Sequence, residues 1–90
     1  MFKSACVIYG GTVQGVGFRY TAHSLARGYN VTGYVKNVTD GSVELVVEGE
    51  ENEVTAFLAA VDARMGDLVL SREATWSEAT GGFRGFAVRF

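Results

Sequence analysis

Ninety residues, nearly half of them hydrophobic and a fifth charged, describe one small soluble globular domain spanning residues 1–90. A net charge of −2 with eight scattered Lys and Arg argues against a nucleic-acid partner, and apolar stretches of strand length argue against a membrane span. One Cys and one His rule out a disulfide framework and a His–Cys zinc site, leaving a reducing cytoplasm as the expected compartment.

Residues 1–5 run directly into a strand, leaving no room for a signal peptide. The β-rich stretch 5–12 carries Val7 and Tyr9 on one side and Cys6 and Ile8 on the other, which predicts a strand covered at least partly on both faces. After a glycine-bearing loop, Phe18, Ala22, Leu25, Ala26 and Tyr29 recur at helical spacing, predicting an amphipathic helix over about 20–28. Gly28 and Asn30 are the residues best able to turn left-handed at its end.

Two strands over 31–38 and 42–48 flank Thr39-Asp40-Gly41, a strong hairpin signal. Gly49 breaks the alternation, and Glu50, Glu51 and Glu53 put negative charge at a helix start. Val54, Phe57, Leu58, Val61 and Met65 form an apolar helical stripe, and Gly66 ends it. Residues 68–78 read as extended, with Leu68, Leu70, Ala74 and Trp76 sharing a face. Gly81-Gly82 turns the chain into a last strand carrying Phe86, Val88 and Phe90. This order, β-α-β-β-α-β with a further C-terminal strand, predicts an α+β, ferredoxin-like sandwich: an antiparallel sheet with two helices on one face.

The loop Val13-Gln14-Gly15-Val16-Gly17-Phe18-Arg19 is the most informative stretch. Two glycines let successive backbone N–H groups converge on an anion, the following helix adds its positive end, and Arg19 adds a permanently charged fork suited to phosphate oxygens. Neither a P-loop nor a dinucleotide fingerprint fits, because Val16-Gly17 stands where Lys-Ser/Thr is needed and Tyr20 where the third Gly is needed. Taken alone, the loop is open to two readings, an anion nest or a plain strand-to-helix turn.

The whole chain resembles the acylphosphatase family. Gly11-Thr12-Val13-Gln14-Gly15-Val16-Gly17-Phe18-Arg19 is similar to its first signature, G-x-V-Q-G-V-x-F-R. Gly33-Tyr34-Val35-Lys36-Asn37, three residues, Gly41-Ser42-Val43, five residues and Gly49 is similar to its second. Phe83-Arg84-Gly85-Phe86-Ala87-Val88 is similar to the closing strand. The resemblance implies hydrolysis of the carboxyl–phosphate anhydride of small-molecule acyl phosphates, releasing a carboxylate and inorganic phosphate. By position it implies a catalytic Arg19 and a catalytic Asn37 that holds the attacking water. The phosphoryl group would lie on backbone N–H groups of Gln14, Gly15, Val16, Gly17, Phe18 and Arg19. Departures are Thr12, where a basic residue is frequent, Tyr29-Asn30 in place of Leu-Gly, and Val38 in place of a hydroxyl residue. The last bears on rate rather than identity.

That chemistry asks for little. A carboxylate leaves without protonation, so the protein must mainly position water and stabilise charge on the equatorial oxygens. Arg19 stays protonated and cannot be the base, which leaves a substrate phosphate oxygen for that role. No metal, no cofactor and no second protein is needed, and a monomer is expected. His23, one helical turn after Arg19, reads as a partly exposed helix residue rather than a base. Cys6 reads as a small core residue, Trp76 and Tyr34 as packing, and Lys36 as a solvated charge. Three alternatives remain: a carbamoyl-phosphate-hydrolysing domain of a maturation carbamoyltransferase, a ligand-sensing domain and an RNA-binding module. The first usually carries Pro where Tyr20 stands, and the second would not need both Arg19 and Asn37. The third is opposed by residues 42–48, which lack an aromatic and carry two acids.

Overall fold

Alternation in the first strand sets the layers of the molecule, seen here in a computed structural model that describes residues Met1–Phe90. In β1 (Phe2–Gly11), Ala5, Val7 and Tyr9 are fully buried, opposite Val47, Leu45 and Val43 of β3 (Val43–Glu50). The same face of β2 (Val31–Asn37) contributes Val31 and Val35. Onto it pack α1 (Phe18–Ala26), through Phe18, Ala22 and Ala26, and α2 (Glu51–Met65), through the predicted Val54, Phe57, Leu58, Val61 and Met65. Phe57 lies 6.0 Å from Tyr29 and 5.4 Å from Phe86, joining α2 to the segment after α1 and to the C-terminal part of the chain.

A 3-10 turn (Gly66–Leu68) leads into β4 (Val69–Glu78), and β5 (Phe86–Arg89) ends the fold. The strand order is β4-β1-β3-β2-β5. The first four strands pair antiparallel, as expected of a ferredoxin-like α+β sandwich; β5 joins parallel beside β2, so the five-stranded sheet is mixed. The chain therefore passes from one sheet edge to the other through residues 79–85. There it is fastened to Glu48, on the face opposite the helices.

Several sequence expectations shift for local reasons. The first helix starts at Phe18 rather than Tyr20, because Gly17 takes the left-handed cap position and its carbonyl accepts the Thr21 N–H at 2.9 Å. Neither Gly28 nor Asn30 turns left-handed. Instead the helix end unwinds through short-range bonds from Arg27, Gly28 and Tyr29, and the Asn30 N–H is taken by the Glu53 carboxylate at 2.7 Å. Gly49 does not end β3 but pairs with Lys3 and Val31 inside it. Trp76 and Ala74 do face the helix side, opposite Ala5 and Val7, yet β4 is an edge strand, which α2 reaches at Arg72 through Asp62. Trp76 is 43% exposed and Leu70 79%, so this row is not core.

Candidate active site

The glycine loop leaves the end of β1 under tight control. Thr12 donates its N–H to the Leu68 carbonyl at 2.9 Å, and the Val13 side chain is fully buried. The Gln14 amide then reaches across to the hairpin, donating to the Val38 carbonyl at 2.7 Å and the Ser42 carbonyl at 2.8 Å. This tether was not read from the sequence, since its acceptors are backbone atoms that any residue carries. The hairpin is stiffened in turn by Asp40, whose carboxylate accepts from the Ser42 N–H and hydroxyl.

Gly15 and Gly17 have φ of +77° and +81°, and a Cβ on either would meet nothing within 4 Å. Backbone conformation, not lack of room, is what calls for glycine here. Phe18 opens α1 with its ring buried 4.8 Å from that of Tyr9, which fixes the helix start against β1. No backbone hydrogen bond outside the regular elements is donated by a residue from Val13 to Tyr20. The first-turn N–H groups of α1 likewise have no intrahelical acceptor. Those N–H groups therefore have no backbone acceptor within the protein.

Arg19 projects from that first turn. One guanidinium nitrogen donates to the Arg89 carbonyl at 3.2 Å, and the guanidinium carbon lies 4.6 Å from the centroid of the Phe90 ring. No carboxylate pairs with it. Its remaining donors stay available while the C-terminal segment braces it from one side. These contacts span 70 positions of sequence, which is why no local motif announced them. Asn37 ends β2 opposite Val43, on the same face as buried Val35, and so looks toward α1.

These parts meet. A cavity of about 110 Å³ is lined by Val13, Gly15, Gly17, Phe18, Arg19, Tyr20 and Asn37. The fold thus brings together five of the residues expected from the sequence and adds Val13 and Tyr20. The side chains of Gln14 and Val16 stand outside the cavity wall, and His23, farther along α1, is not on it either. Unclaimed N–H groups, a helix N-terminus and an unpaired guanidinium around a small space suit a tetrahedral oxyanion, while the Asn37 amide can both donate and accept.

A larger groove, about 460 Å³, lies against Lys3, Glu51, Trp76, Ser77 and Glu78. Its one cation, Lys3, is already paired with Glu78 at 3.1 Å, so it offers no comparable anion cradle. Other reactive side chains are turned away from chemistry. Burial, then the nearby Glu44 carboxylate, pushes the Cys6 thiol above its ordinary 9.0. Burial pushes the Tyr9 hydroxyl up to about 12, and Asp62 adds to it. Lys36 points to the face away from the helices, 3.9 Å from Glu44. Nowhere do three His, Cys, Asp or Glu side chains gather as a metal-ligand set, and no helix is long and apolar enough to cross a membrane.

Sheet order and helix placement define a ferredoxin-like α+β protein, and its candidate site is a glycine loop closed by an arginine and an asparagine. The family model of acylphosphatase matches residues 5–88, so the chain belongs to the acylphosphatase family. An acylphosphatase of Salinibacter ruber is 41% identical over 80 residues, covering 88% of this chain and 84% of that protein. One from Methanospirillum hungatei is 32% identical over 88 residues, covering 97% of each. The crystal structure of acylphosphatase from Bacillus subtilis superimposes with a TM-score of 0.86 at 34% identity, covering 100% of both chains.

Proposed function

We propose that this protein hydrolyses small-molecule acyl phosphates to a carboxylate and inorganic phosphate, without metal or cofactor. The observation that carries the reading is one cavity sized for a phosphoryl group and walled by Gly15, Gly17, Arg19 and Asn37 together. The names of its relatives support the same activity.

In this mechanism the phosphoryl oxygens sit on the N–H groups of residues 14–19 and on the free donors of Arg19. The Asn37 amide orients a water in line with the bond to be broken. The water oxygen bonds to phosphorus as the phosphorus–oxygen bond to the acyl group breaks, and the carboxylate leaves with the electron pair. A phosphate oxygen takes the water's proton. Arg19 and the loop are already aimed at the charge that spreads over the equatorial oxygens, so little reorganisation accompanies the step. His23 and Cys6 take no part.

We read the protein as a cytoplasmic monomer acting without nucleic acid. Against a nucleic-acid partner, β3 presents Glu44 on the face away from the helices, and the Tyr34 ring beside it is occupied, its hydroxyl bonded to Glu44 at 2.8 Å and its face covered by Arg89 at 4.0 Å. The test is phosphate release from benzoyl phosphate and acetyl phosphate in EDTA. Arg19→Ala and Asn37→Ala should each lower kcat/KM by about 10²- to 10³-fold, with inorganic phosphate competing in the wild type. Wild-type rates in either variant would overturn the roles assigned.

A further inference from the structure

The cavity that would hold the phosphoryl group, about 110 Å³, is well below the ~300–1,000 Å³ of pockets that enclose whole organic ligands. An acyl phosphate seated there must leave its acyl group outside. Two large aromatic side chains adjoin the cavity, one on its wall and one against Arg19. Tyr20 lines the cavity wall yet is 61% exposed, and Phe90, whose ring lies 4.6 Å from the Arg19 guanidinium, is 88% exposed. Phe57 and Tyr9, away from the cavity, bury such rings fully, while Phe2 and Trp76 are the other large exposed aromatics. A ring stacked on a guanidinium holds its place through that contact and leaves its other face and edge free to meet a ligand.

We propose that Phe90 is a specificity-determining residue. With Tyr20 it forms an aromatic rim over which the acyl group lies, and the site thereby favours aromatic and bulky apolar acyl phosphates over acetyl phosphate. This deepens the hydrolase reading above and rests on it. The contact of Phe90 with Arg19 matters twice: it keeps the ring at the cavity mouth, and it sets the acyl group beside the residue that binds the phosphoryl oxygens. An acetyl group is too short to cover either ring, so its turnover depends on the cavity alone.

The experiment compares kcat/KM for benzoyl phosphate and acetyl phosphate in the wild type, Phe90→Ala and Phe90→Trp, with circular dichroism as the check on folding. An open rim discriminates less than a closed pocket, so the benzoyl-to-acetyl ratio should fall about tenfold in Phe90→Ala, mainly through KM for benzoyl phosphate. Phe90→Trp should restore it. An unchanged ratio in Phe90→Ala overturns the proposal, whether both rates fall together, which would make Phe90 only a brace for Arg19, or neither does. A wild type inactive on both substrates would instead bring down the hydrolase reading, and the rim with it.

Discussion

Two stretches of irregular backbone in this fold do the same thing with opposite outcomes. Residues 79–85, carrying the chain between sheet edges, direct the Thr80 N–H, the Thr80 hydroxyl and the Gly81 N–H onto the Glu48 carboxylate at 2.9, 2.9 and 3.0 Å. Residues 13–19 curl in a similar way through left-handed glycines, but no side chain of the protein fills the concave side. Gly81 has φ +72°, close to the +77° and +81° of Gly15 and Gly17. The first is an array of backbone donors around an anion that the fold itself supplies, a structural clamp; the second, on the function proposed above, leaves its anion to the substrate. Function here lies in what the chain withholds, since a carboxylate near Arg19 would convert the second loop into a copy of the first.

The sharpest way to break this contrast is to empty the clamp. Glu48 is 4% exposed, and Glu48→Ala would leave the Thr80 and Gly81 donors without their acceptor and detach the crossover from the sheet. Chemical denaturation should register a loss of about 3 kcal/mol. The kcat/KM on acetyl phosphate should stay within about twofold, because the phosphoryl cavity lies among other elements. A variant as stable as the wild type would mean that the clamp holds nothing.

A smaller and better matched pair is Gly17→Ala and Gly81→Ala. Each position has positive φ, and neither Cβ would meet anything within 4 Å, so each substitution costs about 1–2 kcal/mol of backbone strain and nothing from crowding. The stability losses should therefore agree. Only Gly17→Ala should weaken competitive inhibition by inorganic phosphate, since only that loop is proposed to hold an external anion. Equal phosphate affinity in the two variants would erase the distinction between the loops.

The two loops were unequally legible in the sequence. The first announces itself because everything it needs is local: glycines, a helix start and Arg19 lie within a few positions, and residues 33–49 supply Asn37 with a recognisable pattern of their own. The clamp depends on a bond across 32 positions, and Glu48 in sequence is one acid among alternating strand residues. The brace of Arg19 by Arg89 and Phe90 was hidden for the same reason. So was the parallel seat of β5 beside β2, which places that segment next to α1. Periodicity likewise gave the correct face for Trp76 and Ala74. It could not tell that β4 would lie at an edge, where facing the helix side brings little cover. Pattern specifies faces and turns; which elements meet is a property of the assembled sheet.

The subtlest difference between the loops is in their response to acid. Burial of the Glu48 carboxylate opposes ionisation, but the N–H groups of Thr80 and Gly81 and the Thr80 hydroxyl outweigh it and hold the group below its ordinary 4.5. A carboxylate lowered on folding contributes stability that is complete above the unfolded value and is lost as pH falls through the folded one. Glu48→Gln removes that contribution while keeping one oxygen acceptor, and should cost about 1 kcal/mol at neutral pH. Urea midpoints for the two proteins should then converge as the pH drops below 4.5, because the wild-type group becomes as uncharged as its replacement. Asp40 is also held below its ordinary 3.8, by hydrogen bonds from Ser42, but it is common to both proteins and cancels in the difference. The loss in Gly17→Ala involves no carboxylate and should stay level over the same range. A Glu48→Gln gap that also stays level down to about pH 3 would mean the crossover is not clamped by charge, and that the site loop is the fold's only anion nest.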